Sequence, residues 1–260
     1  MPELPEAEAN RRRVEAMCLN RTIVSVEAGD DVQYITLPGG NARQRLVGHQ
    51  FTETRRHGKL IFAGSKTGPW IAVHLGMSGS LRPYDDGGKT PDYRKLIIAF
   101  EGDRRLAFRC PRKLGWVHVI DDPETFIRDE GYGPDALEIS REAFRDVIGG
   151  TRGAVKSALM DQKKLAGIGN LWSDEILFQT GTSPTAKAAD LDGDRLDALH
   201  DKMPRVLEAV AATDMDYSKL PGDWLIPNRT EGADCPVCDG TIVKRKVGGR
   251  TSYFCDTHQA

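Results

Sequence analysis

Four residues near the end of the chain have the types and spacing of a metal site. Cys235-Pro-Val-Cys238 is followed, sixteen residues on, by Cys255-Asp-Thr-His258. Two such pairs suit a tetrahedral zinc ion: each spans one edge of the tetrahedron, and the residues between can fold as a β-hairpin. Thr241-Ile-Val243 and Thr251-Ser-Tyr-Phe254 read as its strands, with Val247-Gly-Gly-Arg250 as the turn. A ribbon this small buries too little surface to stand alone. One structural Zn2+ on Cys235, Cys238, Cys255 and His258 is therefore expected to supply its folding energy. The plainer alternative is four scattered residues with no metal. Cys18 and Cys110 are left as packing residues, and five cysteines argue against a disulfide framework.

The other end of the chain offers a nucleophile. Met1 precedes a small residue, so its removal is expected, and the mature chain would begin with the secondary amine of Pro2. An α-amino group titrates near roughly 7.7–8.0, so part of it is neutral at physiological pH, whereas lysine is almost wholly protonated. A neutral secondary amine can attack an aldehyde-level carbon and form an iminium, an electron sink that acidifies the neighbouring C–H. Glu3 and Glu6, one helical turn apart, could act as general acid and base. The alternative is an ordinary helix start, with proline and acids at their preferred places.

These groups need elements to hold them. Residues 5–18 read as a helix with Ala7, Val14, Met17 and Cys18 as its buried stripe. From Ile23 to about Ile120, short β-rich runs such as Leu60-Ile-Phe62, Trp70-Ile-Ala-Val73 and Leu96-Ile-Ile98 recur between Gly, Pro and Asp. That spacing predicts an antiparallel sandwich or barrel. Beyond Gly131-Tyr-Gly-Pro134 the pattern turns helical. Phe144, Val147 and Ile148 share a face stopped by Gly149-Gly150, and Val155, Ala158 and Leu159 open a second helix. Asn170 is the expected N-cap of a third over Leu171–Gln179, with Asp174 and Glu175 in its first turn. Leu196, Leu199, Met203, Val206, Leu207 and Val210 mark a longer fourth. The expectation is an α+β multidomain chain: an antiparallel β-sandwich with its N-terminal helix over 1–130, a helical domain over 131–225 and a zinc ribbon over 226–260.

Composition narrows the class. Hydrophobic residues make up 39% of the 260, and no apolar run approaches the ~18 residues of a spanning helix. Glu3, Glu6 and Glu8 stand where a secretory signal would carry basic residues, so intracellular, cytoplasmic residence is expected, with no membrane partner. The net charge of −2 conceals an uneven distribution: residues 55–66, 104–113, 151–164 and 241–253 together hold +16, and the remainder −18. If those four segments share a face, it could hold a polyanion; otherwise they are four unrelated solvated faces.

Six stretches in the right order make the chain resemble the formamidopyrimidine-DNA glycosylase/endonuclease VIII family. They are Pro2-Glu-Leu-Pro-Glu6, Arg55-Arg-His-Gly-Lys59, His74-Leu-Gly-Met-Ser-Gly79, Cys110-Pro-Arg-Lys-Leu-Gly115, Lys156 to Asn170 running into Trp172 and Glu175, and Gly249-Arg250 to His258. The resemblance implies a helix-two-turn-helix between the sandwich and the finger. It also implies a monomeric, bifunctional DNA glycosylase and abasic-site lyase of base excision repair, acting on double-stranded DNA with damaged bases or abasic sites. On it, Pro2 attacks the sugar C1′, Glu3 protonates the ring oxygen, Glu6 assists proton transfer, and Lys59 contacts phosphate and supports lysis. Met77 and Arg112 fill the gap left by the extruded nucleotide and Leu114 wedges the opposite strand. Lys156 and Asn170 hold phosphates, and Arg250 lies at the flipped site. Extrusion costs a few kcal/mol of unstacking, which such plugs offset.

The chain departs from the family pattern in places. His258 replaces the usual final Cys, and Leu114 is smaller than the Phe many members carry. Thr213 to Ala233 lacks the Gly-Gly-Thr-Thr segment and longer loop that close over 8-oxoguanine. Ring-opened purines, hydantoins, oxidised pyrimidines or abasic sites are thus better expected substrates than 8-oxoguanine. Two rivals stand beside this reading: a lyase that excises few bases, and a non-catalytic binder of damaged DNA.

Overall fold

The structure is a computed structural model that describes residues 2–28 and 42–259; Met1, and with it the question of its removal, lies outside the described residues. The chain forms two compact units, one of Met1–Pro2 and Glu6–Glu130, the other of Glu3–Pro5 and Gly131–Ala260.

Helix α1 (Leu4–Cys18), which belongs to the first unit from Glu6 onward, is laced by Glu8–Arg11, Glu8–Arg12 and Arg11–Glu15 pairs three or four residues apart. Ala7, Val14 and Cys18 are buried. Met17 is not: it is 36% exposed, because it sits a full helical step off the line through Ala7 and Val14, and the stripe expected from sequence is corrected there. A short helix α2 (Ala42–Leu46) follows strand β1 (Ile23–Ala28). Seven further strands follow: β2 (Glu53–His57), β3 (Leu60–Gly64), β4 (Trp70–His74), β5 (Ser80–Asp85), β6 (Arg94–Phe100), β7 (Arg104–Arg109) and β8 (Trp116–Ile120). They build two antiparallel four-stranded sheets, β1-β6-β7-β5 and β2-β3-β4-β8. Val26, Ile98 and Phe108 of one sheet and Ile61, Val73 and Val117 of the other enter a single core with the helix, as the face-to-face packing of a sandwich requires. Helix α3 (Pro123–Asp129) closes the unit, its N-terminus capped by Asp122 on Thr125 N.

In the second unit, α4 (Arg141–Phe144) runs into a π-helical turn over Arg145–Gly149. It is followed by α5 (Val155–Met160), α6 (Asn170–Gln179) and α7 (Gly193–Ala212). All six apolar positions expected on the long helix are buried. Strands β9 (Ile242–Val247) and β10 (Arg250–Cys255) form the C-terminal hairpin. Its turn residues Gly248 and Gly249 take φ of +56° and +77°, the left-handed pair that a two-residue hairpin turn of this type demands.

Candidate active site and nucleic-acid interface

Glu3 is 1% exposed, and its carboxylate accepts the backbone N–H groups of Gly169 (2.7 Å), Leu171 (2.8 Å) and Trp172 (3.3 Å). A residue far away in sequence therefore caps α6, and the helix dipole stabilises its negative charge. The expected N-cap is corrected: Gly169 holds the cap position and Asn170 is the first helical residue. Gly169 has to be glycine, since a Cβ there would lie 2.4 Å from Glu3 Cδ. Asn170, relieved of capping, keeps a buried Oδ1 with no partner among the described residues. Pro2 is half-buried and Glu6 buried. One turn beyond Glu6, Asn10 donates to the Glu6 carbonyl (2.8 Å) and accepts from Leu81 N (2.7 Å), fastening α1 to β5. Nothing in the sequence singled out Asn10.

Lys59 stands at the tip of the β2–β3 hairpin, where His57 pairs with Leu60 and Gly58 takes φ +55°. Arg56 steadies that tip by donating to the Gly58 carbonyl (3.2 Å) and pairing with Glu8 of α1 at 3.5 Å. Beside it, His74 stacks on Trp116 with ring centroids 5.5 Å apart. Burial, helped by the Lys59 charge, pushes the His74 imidazole down to about 4.

Two loops cross between the sheets at one end of the sandwich. Residues 75–79 link β4 to β5, and residues 110–115 link β7 to β8; His74 pairs with Trp116 and Ser80 with Arg109, so the loops leave side by side. Gly76, at φ +62°, lies so near that a Cβ would be 2.4 Å from the Leu114 carbonyl carbon. Cys110 packs below, its Sγ accepting from Gly115 N (3.4 Å). The tips point outward: Met77 is 37% and Leu114 51% exposed, and Arg112 is exposed as well. Met77, Arg112 and Leu114 are thus brought together, and the bland reading of Met77 as a core residue does not hold.

Lys156 departs from expectation. It is fully buried, its ammonium donating to Asp174 Oδ1 (2.7 Å), Ser252 Oγ (3.0 Å) and the Thr251 carbonyl (3.4 Å). Burial pushes this ammonium down, against the pull of Asp174. The sequence placed Lys156 at a DNA phosphate; in this structure its ammonium is engaged within the fold, sharing the Asp174 carboxylate with Arg229. Asp174 also receives Arg229 (2.8 Å), Ser252 Oγ (2.6 Å) and Tyr253 N (3.2 Å). Its neighbour Glu175 accepts from Ile226 N and Leu225 N. The two acids therefore serve buried contacts and not the helix dipole. Asp174, together with Gly248, where a Cβ would meet Ser157 Oγ at 2.1 Å, fixes the hairpin that presents the exposed Arg250.

The thiol sulfurs of Cys235, Cys238 and Cys255 lie within 4.8 Å of one another. Gly240 leaves the room they need, since a Cβ there would fall 2.7 Å from Cys255 Sγ. Although burial acts the other way, the N–H groups of His258 and Thr257 bring the Cys255 thiol below its ordinary value, toward the thiolate a metal takes. The donor set fits a thiophilic metal such as zinc. His258 does not join it. Its Nε2 lies 2.8 Å from the Phe178 carbonyl and its ring packs on Phe178 at 4.8 Å, so the expected four-ligand cluster is corrected to three.

The model of the formamidopyrimidine-DNA glycosylase N-terminal domain matches residues 1–117, and that of the helix-two-turn-helix domain of the same enzymes matches residues 131–220. The formamidopyrimidine-DNA glycosylase of Roseiflexus sp. (strain RS-1) is 30% identical over 268 residues, covering 98% of each chain. The chain belongs to the formamidopyrimidine-DNA glycosylase family. A second member, from Gluconobacter oxydans, is 30% identical over the full length of both chains. Among solved structures, MutM in complex with DNA containing carbocyclic 8-oxo-G superposes with a TM-score of 0.88 at 25% identity over 99% of each chain. The Lactococcus lactis glycosylase, non-covalently bound to DNA with an abasic site, shares the fold with a TM-score of 0.87 at 24% identity, again over 99% of each chain. Against this family frame, the stretch from Thr213 to Ala233 is held down. Leu220 and Leu225 are buried, Glu175 holds Leu225 N and Ile226 N, and Asn228 donates to the Gly222 and Trp224 carbonyls.

Proposed function

We propose that this chain is a bifunctional DNA glycosylase and abasic-site lyase of base excision repair, acting as a monomer on damaged double-stranded DNA. Family membership supports the enzyme class. The single observation that carries the chemistry is the Glu3 carboxylate, buried and held by three N–H donors directly beside Pro2 in sequence. Once Met1 is removed, the Pro2 nitrogen attacks C1′ of the damaged nucleotide and the base departs with the glycosidic electron pair. Forming the iminium releases the proton on that nitrogen. Glu3, kept as a carboxylate by its donors, takes this proton and passes it to the ring oxygen as the C1′–O bond breaks. The iminium then acidifies the C2′–H, and loss of that proton expels the 3′ phosphate.

Met77, Arg112 and Leu114, on their conjoined loops, occupy the space vacated in the duplex. Lys59, Asn170 and Arg250 are the polar groups offered to phosphate and to the flipped nucleotide. Cys235, Cys238 and Cys255 hold one structural zinc, which contributes folding energy to the knuckle and takes no part in the chemistry. No described helix is long and apolar enough to cross a membrane, and the work assigned to the chain is intracellular, where the DNA is. The short, anchored stretch over 213–233 favours ring-opened purines, hydantoins, oxidised pyrimidines or abasic sites over 8-oxoguanine.

Borohydride trapping on duplexes carrying dihydrouracil, 8-oxoguanine or an abasic site tests this reading. A covalent adduct modified at the N-terminal peptide is expected on dihydrouracil and the abasic site. Glu3→Gln should reduce it on the base lesion by about a hundredfold or more. Pro2→Gly, still an amine but a primary one, runs beside it. Trapping at the abasic site alone would leave only a lyase. No adduct despite salt-sensitive binding would leave a damage-binding protein and end the catalytic assignment.

A further inference from the structure

Tyr93 is the most exposed large hydrophobic side chain among the described residues, at 62%, and it lies outside every site above. Its backbone takes φ +57°, a left-handed conformation that an aromatic residue rarely adopts. Such a strained residue persists only where its surroundings hold it, and two contacts do so here. The carbonyl of Tyr93 accepts from Cys110 N at 3.0 Å, the first residue of the loop that carries Arg112 and Leu114. The guanidinium of Arg109 lies over the ring, 5.3 Å from its centroid. The turn before β6 is therefore tied to the root of the wedge loop, and Arg109, paired with Arg94 across β6 and β7, backs the ring with positive charge. An exposed ring held rigid beside cations is how proteins offer a stacking face to an unpaired base: the ring is tolerant of sequence, and the cations hold the backbone.

We propose that Tyr93, backed by Arg109, is a further DNA-contacting residue on which a nucleobase left unpaired at the wedge loop stacks. This rests on the reading that the chain binds damaged duplex DNA. It gives the molecule an aromatic surface on the same loop assembly where Leu114 supplies only a small aliphatic wedge.

The probe is a duplex with a tetrahydrofuran abasic analogue, which cannot be excised, and 2-aminopurine opposite it. Asparagine tolerates positive φ, so Tyr93→Asn removes the ring without adding backbone strain, and its thermal midpoint should equal or exceed that of the unaltered chain. Tyr93→Asn is expected to weaken binding by about tenfold and to brighten 2-aminopurine emission in the complex. The slope of log Kd against log salt should stay unchanged, because no charge is lost. Tyr93→Phe should restore both affinity and quenching, and Tyr93→Leu should not. Binding by Tyr93→Asn within twofold of the unaltered chain with the same emission would overturn the proposal, as would full rescue by leucine. The phenylalanine–leucine comparison decides the matter even if the asparagine variant folds poorly. If the unaltered chain bound no duplex, the functional reading would fall too; if it bound and trapped normally while Tyr93→Asn matched it, this proposal alone would fall.

Discussion

His74, at the root of the Met77 loop, is built to stay neutral. Burial and then the nearby Lys59 charge bring it down to about 4, and its Nδ1 accepts the N–H of Gly76 at 3.2 Å. In the unfolded chain the imidazole titrates near about 6.5. Above that value both states are neutral and the full stability is present. As pH falls from about 6.5 toward about 4, the unfolded chain binds a proton that the native fold refuses, and stability declines. The urea midpoint should therefore drop through this window, and His74→Gln should flatten that drop; an unchanged pH slope in the variant would show that His74 is not its source. Single residues were legible in the sequence where their chemistry is local, as at the three cysteines of the knuckle. They were not legible where a partner arrives from far along the chain. Glu3 capping α6, Asn10 bridging to β5 and Lys156 buried on Asp174 each depend on a tertiary meeting that no spacing announces.

The C-terminal hairpin is fastened from two sides. The cysteine knuckle holds one end, resting on Phe178, Leu225 and Ile242. Lys156, Asp174 and the Gly248–Ser157 contact hold the strand side. From sequence, zinc was expected to supply the ribbon's folding energy; the buried ion pair shares that task. Chelation should thus loosen the element in part. Amide exchange over 235–240 is expected to speed up by about tenfold or more, while Ser252 and Tyr253 remain protected. Exchange rising equally along the whole hairpin would show that the metal alone holds it. Strands with apolar runs, such as β3, β4 and β6, could be read directly from sequence. Strands β2 and β7 are studded with arginine and read first as basic patches, because neighbouring charged residues interrupt the apolar pattern that marks a strand. Helix α6 was placed to within a residue, yet its two acids looked like helix-dipole partners, since acids near a helix start usually are.

Over the whole molecule, the charge ledger reads differently once folded. At least seven of the seventeen cations in the four basic segments pair with acids outside those segments: Arg55, Arg56, Arg104, Arg105, Lys156, Lys244 and Arg245. At most ten remain for phosphates. If these ten carry the phosphate contacts, counterion release gives a slope of log binding constant against log salt no steeper than about −9, and a value between about −5 and −9 is expected for undamaged duplex. A slope near −2 would mean that the segments do not act on one DNA. Fold class was legible at this scale because apolar patterning and the order of motifs survive without knowledge of any contact. The pairing of charges was not, because it is decided by which surfaces meet.

The close approach of Gly76 to Leu114 bears on how such an enzyme can change over generations. The two loops have no room for even a methyl group between their backbones, so neither can lengthen or drift without displacing the other. Variation is channelled into the side chains at the tips, Met77, Arg112 and Leu114, which project outward and can be exchanged one at a time. A lineage can thus change how the opened duplex is plugged by retouching three positions while the frame beneath them stays as it was.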